Sequence, residues 1–186
     1  MIIYITRHGE SLNNTHNIIG GNSHITEKGK KYSKLLTNYM KKHKNLTVWT
    51  SNLLRTQETA SHFESIISFT ELNEISSGDF ENFNLDIIKS EYPDIYTHRN
   101  NDKLNNSYPN GENYLDLKKR VYDLLNTIDM TKNETLLIIS HQAICRVIYS
   151  YFSNTSIDKC IDIDINLHTL YKFNNKNLIN ININEH

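Results

Sequence analysis

Short apolar segments that alternate with amphipathic segments constrain the fold of this chain more than any other feature. Residues 2–6, 46–50 and 135–139 combine β-branched and other apolar residues without a helical repeat, which is typical of buried strands. Each precedes a stretch whose apolar residues recur three and four positions apart. Because such alternation produces parallel strands covered by helices, we predict an α/β fold. It is expected to be a three-layer sandwich with a mostly parallel central sheet flanked by helices.

The remaining elements follow from periodicity and capping residues. Residues 71–84 lack periodicity and are predicted to be irregular, whereas 167–173 and 178–183, with a turn at 174–176, are predicted to pair as a hairpin. We find no repeat and no linker, so we expect one domain over residues 1–186. Helices are expected from a cap at Thr26 to Met40 and over 53–66, 84–91, 93–100, 113–128 and 142–152.

Charge and cysteine content exclude several classes of protein. Lys and Arg total 20 and Asp and Glu total 21, so the net charge of −1 argues against nucleic acid or an anionic membrane as the main partner. No apolar run approaches the roughly 18–20 residues of a membrane span, and no secretory signal follows Met1. Cys145 and Cys160 have no CxxC spacing and are expected to be reduced core thiols. We therefore expect a cytoplasmic protein, in the host cytoplasm if its AT-rich codon usage reflects a virus.

Basic side chains follow all three predicted strands. Arg7 and His8 come directly after the first, Arg55 lies in the first helical turn after the second, and His141 follows the third. Ligands of open α/β sheets bind at the carboxyl ends of the strands. Guanidinium donors match phosphate oxygens, and histidine is a candidate nucleophile. A surface loop accounts for any one of these residues alone, but an anionic substrate accounts for all of them together.

An ordered series of motifs points to a family. The string Arg7-His8-Gly9-Glu10 is followed by Asn14, Gly20-Gly21, Leu54-Arg55-Thr56, Asn73-Glu74 and Ser140-His141-Gln142. This series resembles the histidine phosphatase (phosphoglycerate mutase-like) superfamily. Within it, the chain is most similar to the fructose-2,6-bisphosphatase domain of the bifunctional 6-phosphofructo-2-kinase/fructose-2,6-bisphosphatase.

That resemblance implies a two-step phosphoryl transfer that requires no metal and no cofactor. His8 would attack the 2-phosphate of a sugar bisphosphate and form a phosphohistidine that water later hydrolyses. Glu74 would protonate the leaving oxygen and then take a proton from that water. Gly20 would belong to the substrate-binding loop. The transferring phosphoryl group would be surrounded by Arg7, Asn14, Arg55 and His141.

The resemblance also implies a second subsite, for the 6-phosphate. Arg99 and Lys103 are four residues apart and would share one helix face, whose alternative interpretation is a solvated surface. Four of the five arginines fall on proposed phosphate contacts, which leaves Arg120 for an ordinary surface role. The residues assigned to this subsite are Arg99, Lys103, Tyr114, Gln142 and Arg146.

Two positions depart from the family pattern. Leu85, eleven residues after Glu74, stands where the family has a tyrosine that helps to bind the 6-phosphate. A lost hydroxyl contact costs about 0.5–1.5 kcal/mol, so we expect weaker affinity or broader selectivity. Asn13 is a rival to Asn14 for the phosphate contact. His168 is expected to belong to the packing of the C-terminal strand or to support the site from behind, and not to take part in catalysis.

The sequence leaves several functions open. The leading interpretation is a stand-alone phosphatase, because no G-x-x-x-x-G-K-[ST] loop of a kinase is present in these residues. The alternatives are a phosphoglycerate mutase or a broad-specificity phosphomonoesterase of the same superfamily, or an inactive sugar-phosphate-binding module. Each takes a small sugar phosphate or related ester as its partner, and the sequence does not indicate an oligomeric state.

Overall fold

The structure, a computed structural model, describes residues 1–132, 134–174 and 176–183. The strands are β1 (Ile2–Arg7), β2 (Leu46–Ser51), β3 (Ile66–Phe69), β4 (Thr135–Ser140), β5 (Leu170–Asn174) and β6 (Asn177–Ile181). The α-helices are α1 (Leu12–Thr15), α2 (Glu27–Met40), α3 (Leu54–Ala60), α4 (Leu85–Glu91), α5 (Pro93–Asn101), α6 (Tyr114–Leu125) and α7 (Gln142–Ser153). Short 3₁₀ turns lie at Thr70–Leu72, Gly78–Phe80 and Ile157–Lys159.

The strands form one six-stranded sheet in the order β3-β2-β4-β1-β5-β6. The four strands from β3 to β1 are parallel to their neighbours, β5 is antiparallel to β1, and β6 is antiparallel to β5. The register of the central pair aligns Ile2 with Thr135 and Arg7 with Ser140. The carboxyl ends of β1 and β4 therefore lie side by side, as the motif positions require.

Side chains alternate between the two faces of the sheet and create two cores. Ile3 and Ile5 of β1 pack with α6 and α7, whereas Tyr4 packs on the opposite face with Leu36 and Met40 of α2. This alternation follows the two-residue repeat of a strand. The predicted three-layer α/β fold with a mostly parallel sheet is confirmed.

Several predicted boundaries were wrong. The helix predicted over 53–66 ends at Ala60, and Ile66–Phe69 forms the edge strand β3, paired with β2. Here the β-branched pair Ile66-Ile67 gains backbone hydrogen bonds from β2 that a helix continuation would forgo. The helix predicted over 113–128 spans Tyr114–Leu125. The hairpin strands begin and end within a few residues of the prediction, and its predicted turn includes residue 175, outside the described residues.

Two glycines allow α2 to approach the loop that follows β1. A Cβ on Gly9 would lie 2.7 Å from the Gly29 carbonyl oxygen, and one on Gly29 would lie 2.5 Å from the Glu10 carbonyl oxygen. Both distances are shorter than van der Waals contact, so larger residues would push the helix away. The N-terminal turn of α2, capped by Thr26 as predicted, thus supports the loop that carries His8.

In the part of the chain that the structure describes, none of the helices combines the length and the apolar character needed to span a bilayer.

Candidate active site

A cavity of about 470 Å³ opens at the carboxyl ends of β1, β2 and β4. It is where the rule for open α/β sheets predicts a ligand. Every site residue predicted from the sequence lines it except His141, which lies fully buried behind it. The predicted residues on its wall are Arg7, His8, Asn14, Gly20, Arg55, Glu74, Arg99, Lys103, Tyr114, Gln142 and Arg146.

His8 is held in one tautomer by the backbone. Its side chain is 3 % exposed, and its Nδ1 lies 2.8 Å from the Gly9 carbonyl oxygen. Because a carbonyl only accepts hydrogen bonds, Nδ1 carries the proton and Nε2 keeps its lone pair. The main-chain N–H of His8 also donates to the Ser140 carbonyl, at 2.9 Å, which ties the residue to the end of β4. Nε2 is therefore the ring nitrogen available to a substrate in the cavity.

His141 supports Arg55 from behind the cavity wall. Arg55 Nε donates to His141 Nδ1 at 3.2 Å, so the other ring nitrogen, Nε2, carries the proton and donates to Ser51 Oγ at 2.9 Å. Arg55 Nη1 donates to the Gly21 carbonyl at 2.7 Å. The rings of His8 and His141 lie 5.2 Å apart between centroids. Both nitrogens of His141 are thus occupied, and the residue acts in this arrangement by fixing the guanidinium of Arg55.

Arg7 has a donor with no acceptor. Its Nη1 donates to the Ile165 carbonyl at 3.0 Å, but its buried Nε has no hydrogen-bond partner within the described residues. An unpaired buried donor costs about 1–3 kcal/mol. Arg7 lines the cavity, so an anion bound there would lie beside this guanidinium and offset its charge.

Burial and mutual repulsion control the charges in this cluster. Burial, followed by the positive charge of Arg55, lowers the pKa of His8 and of His141 well below the usual value. Burial also lowers the pKa of Arg7 and of Arg55, and the negative charge of Glu74 partly opposes this effect. At neutral pH both imidazoles are therefore neutral, and the nucleophilic lone pair of His8 is present.

Glu74 lies in the irregular segment that the sequence predicted for residues 71–84. Its Oε1 accepts the main-chain N–H of Ile75 at 3.0 Å, and the side chain lines the cavity.

The expectation of an ordinary surface role for Arg120 was wrong. Arg120 is partly buried and donates to main-chain carbonyls of this segment, including that of Glu74.

A second basic cluster occupies another part of the same cavity. Arg146 donates through Nη1 to the Tyr114 hydroxyl at 2.9 Å, and because arginine only donates, the Tyr114 proton is free for an anion. Burial raises the pKa of Tyr114, which keeps that proton in place.

Arg99 lies 5.5 Å from the ring centroid of Tyr108, and its buried Nε also lacks a partner among the described residues. Helix α5 ends before Lys103, so the predicted shared helix face is wrong, although Arg99 and Lys103 both line the cavity.

The amide contacts distinguish Asn14 from its rival Asn13. Asn14 Oδ1 accepts from the main-chain N–H and the hydroxyl of Ser11, both at 3.0 Å, which leaves its Nδ2 donors for a ligand. The Nδ2 of Asn13 instead donates to the Gly20 carbonyl at 3.0 Å. Gly20 adopts φ +64°, and a Cβ there would collide with the carboxylate of Glu81. These contacts favour Asn14 as the donor to an anion.

Some residues that shape the site were not found in the sequence. Ser51 holds His141, and Glu81 accepts from the main-chain N–H groups of Gly21 and Ser77 at 2.6 and 2.7 Å. Ser51 ends β2, so its position at a strand terminus was a usable signal. Glu81 carries no such signal, because its partner Gly21 in the substrate-side loop lies 60 residues away in the sequence. His168 accepts from the Glu10 N–H at 2.9 Å and so supports the loop after β1.

The neutral buried histidines make stability depend on pH. In the unfolded chain a histidine binds a proton near pH 6.5, whereas His8 and His141 resist protonation when folded. Their contribution is therefore complete above pH 6.5 and decreases as the pH falls. We expect the free energy of unfolding to decrease between pH 7.5 and 5.5 in a phosphate-free buffer, by about 1 kcal/mol for each of the two residues.

Denaturant titrations at several pH values check this expectation. The variant His8→Gln should reduce the pH-dependent loss by about 1 kcal/mol. His62→Gln, which removes an exposed histidine, should leave the loss unchanged. A wild-type unfolding free energy that is constant over this range would contradict the assigned charge state.

Comparisons with known proteins place the chain in a family. The model of the histidine phosphatase superfamily (branch 1) matches residues 3–177. A Schizosaccharomyces pombe protein named probable fructose-2,6-bisphosphatase is 37% identical over 175 residues, which cover 91% of this chain and 42% of that protein. The Saccharomyces cerevisiae fructose-2,6-bisphosphatase is 38% identical over 174 residues, which cover 91% of this chain and 38% of that protein.

The fold has close structural counterparts. The crystal structure of the alpha-ribazole phosphatase from Shigella flexneri superposes with a TM-score of 0.85 at 20% identity, covering 97% of this chain and 95% of that one. The chain spans about two fifths of the length of the two fungal relatives. From the family match over nearly all of its length, we conclude that this chain belongs to the histidine phosphatase superfamily, branch 1.

Proposed function

We propose that this chain is a cytoplasmic phosphatase that hydrolyses the 2-phosphate of fructose 2,6-bisphosphate through a phosphohistidine on His8. The names of the two fungal relatives support this substrate. The site supports it independently through one observation, which is that a single cavity contains two basic clusters. Each cluster includes a buried arginine Nε without a partner among the described residues, on Arg7 and on Arg99. A small molecule with two phosphates places one anionic group beside each cluster.

In the first step, His8 Nε2 attacks the phosphorus of the 2-phosphate. A P–N bond forms as the bond between phosphorus and the sugar oxygen breaks, and that oxygen takes its proton from the carboxyl group of Glu74. In the second step, water attacks the phosphohistidine and gives its proton to the Glu74 carboxylate. The P–N bond breaks, inorganic phosphate leaves, and both residues return to their starting states.

The guanidinium groups supply most of the transition-state stabilisation. Arg7, Arg55 and Asn14 present donors to the three oxygens that carry the charge of the transferring group. His141 holds Arg55 through the 3.2 Å bond to its Nε, so the donor is oriented before substrate arrives. The chemistry assigned to these side chains requires no metal and no cofactor.

The second cluster fits the 6-phosphate. Arg99, Arg146 and the free proton of Tyr114 supply donors. Gln142, at the start of α7 and next to His141 in sequence, lines the same cavity. Lys103 contributes charge, although Asp162 at 3.1 Å already pairs with it. Binding this remote phosphate orients the reacting one, which raises the rate of the chemical step.

Phosphate release from fructose 2,6-bisphosphate tests the proposal directly. We expect faster release from this ester than from fructose 1,6-bisphosphate, 3-phosphoglycerate or p-nitrophenyl phosphate, and none above background from His8→Ala. Equal or faster turnover of the other esters would indicate a broad-specificity phosphomonoesterase. Isomerisation of phosphoglycerate without release would indicate a mutase, and tight binding without turnover would indicate a binding module.

Leu85 allows a test of the second subsite. It lines the cavity where the family pattern has a tyrosine, so Leu85→Tyr should restore one hydroxyl contact to the 6-phosphate. A contact of about 0.5–1.5 kcal/mol corresponds to a KM for fructose 2,6-bisphosphate about 2- to 12-fold lower. Leu85→Phe is the matched control and should lack this gain. An equal change in both variants, or in the KM for p-nitrophenyl phosphate, would show that ring packing and not phosphate binding is responsible.

A further inference from the structure

Arg120, on α6, makes a dense set of contacts with the segment that carries Glu74. Its Nη1 donates to the Glu71 carbonyl at 2.5 Å, and its Nη2 donates to the carbonyls of Asn73 at 2.9 Å and Glu74 at 3.3 Å. These acceptors are main-chain carbonyls of Glu74, the residue proposed as general acid, and of two residues that precede it. The guanidinium thus replaces the hydrogen bonds that a helix or strand would otherwise provide to this irregular segment.

Glu112 completes the arrangement. Its two carboxylate oxygens each accept from Arg120 at 2.8 Å, from Nε and from Nη2, in a bidentate pair. The same carboxylate accepts the main-chain N–H of Ser76 at 2.9 Å, two residues beyond Glu74. Glu112 N–H also donates to the Ser76 carbonyl at 3.0 Å. Both sides of Glu74 are therefore attached to one ion pair whose partners are each about one quarter exposed.

We propose that Arg120 and Glu112 are positioning residues, which hold the Glu74 carboxyl where it can protonate the leaving oxygen. This inference rests on the proposed function, in which Glu74 is the general acid. Among the described residues, the Glu74 side chain takes part in one hydrogen bond, the 3.0 Å bond from the Ile75 N–H. Its position is consequently set by its main chain, and the main chain is set by Arg120.

The planar fork of Arg120 is essential to this role. Lysine offers one ammonium group on a flexible stem and lacks the geometry to bond a carboxylate in bidentate fashion while also bonding three carbonyls. Arg120→Lys therefore retains the positive charge but cannot form the bidentate pair and the carbonyl bonds together. Glu112→Gln retains the shape, removes the charge, and is the milder change if Arg120→Lys folds poorly. Lys119→Ala, at the exposed neighbouring position of α6, is the matched control.

A comparison of leaving groups separates loss of acid catalysis from general damage. The sugar oxygen of fructose 2,6-bisphosphate needs a proton to depart, whereas p-nitrophenolate departs as an anion. We expect Arg120→Lys to slow single-turnover phosphorylation of His8 by the bisphosphate about 10- to 100-fold. With p-nitrophenyl phosphate the same step should slow less than about 3-fold, and the KM for the bisphosphate should stay nearly constant.

A double variant provides the second readout. Glu74→Gln removes the proton donor, so adding Arg120→Lys to it should cause little further loss with the bisphosphate. Equal slowing with both esters, an unchanged rate with the bisphosphate, or multiplicative losses in the double variant would overturn the positioning role. If wild-type protein hydrolyses some other alkyl phosphate and not the bisphosphate, the substrate assignment fails while the same comparison with that ester still tests Arg120. Wild-type protein that hydrolyses no alkyl phosphate would overturn both the proposed function and the positioning role of Arg120.

Discussion

The concentration of buried positive charge at one edge of the sheet governs this site. Arg55 is buried and Arg7 is half-buried beside two histidines, and such burial is unfavourable unless the charges are paired. The fold meets the cost with carbonyl acceptors and with imidazoles that stay neutral. One donor, Arg7 Nε, remains without an acceptor within the described residues. A site built in this way is preorganised for a phosphate dianion.

The same electrostatic arrangement determines which side chain acts as nucleophile and which acts as acid. Burial, followed by the positive charge of Arg55, keeps the pKa of His8 low and the ring unprotonated. The Gly9 carbonyl fixes which nitrogen has the lone pair, so the nucleophile needs no separate base. The leaving oxygen does need an acid, and Glu74 is the one carboxyl side chain among the residues lining the cavity. Because Glu74 projects from an irregular segment, its placement depends on the ion pair of Arg120 with Glu112. Nucleophile and acid are therefore fixed by different elements, β1 and α6.

Local sequence patterns predicted most strands and helices and the residues at the strand ends. They did not predict contacts between segments that are distant in sequence. The apolar segments located β1, β2 and β4, and rules for strand ends brought Arg7, His8 and Arg55 together. The strand β3 was missed because its formation depends on pairing with β2 and not on its own repeat. Arg120 was misjudged for a similar reason, since its main-chain partners lie about 46–49 residues away and no spacing rule relates them. Likewise, the position of His141 behind the cavity depends on the register of β4 against β1.

Trapping the covalent intermediate tests the central claim most directly. Wild-type protein would be mixed with fructose 2,6-bisphosphate radiolabelled at the 2-phosphate, quenched in alkali within one turnover, and digested for peptide mapping. The account predicts label on the peptide that contains His8, stable in alkali and lost in acid, formed at least as fast as phosphate is released. His8→Ala should show no such label. Steady phosphate release without label on His8, or with label on another residue, would contradict the mechanism.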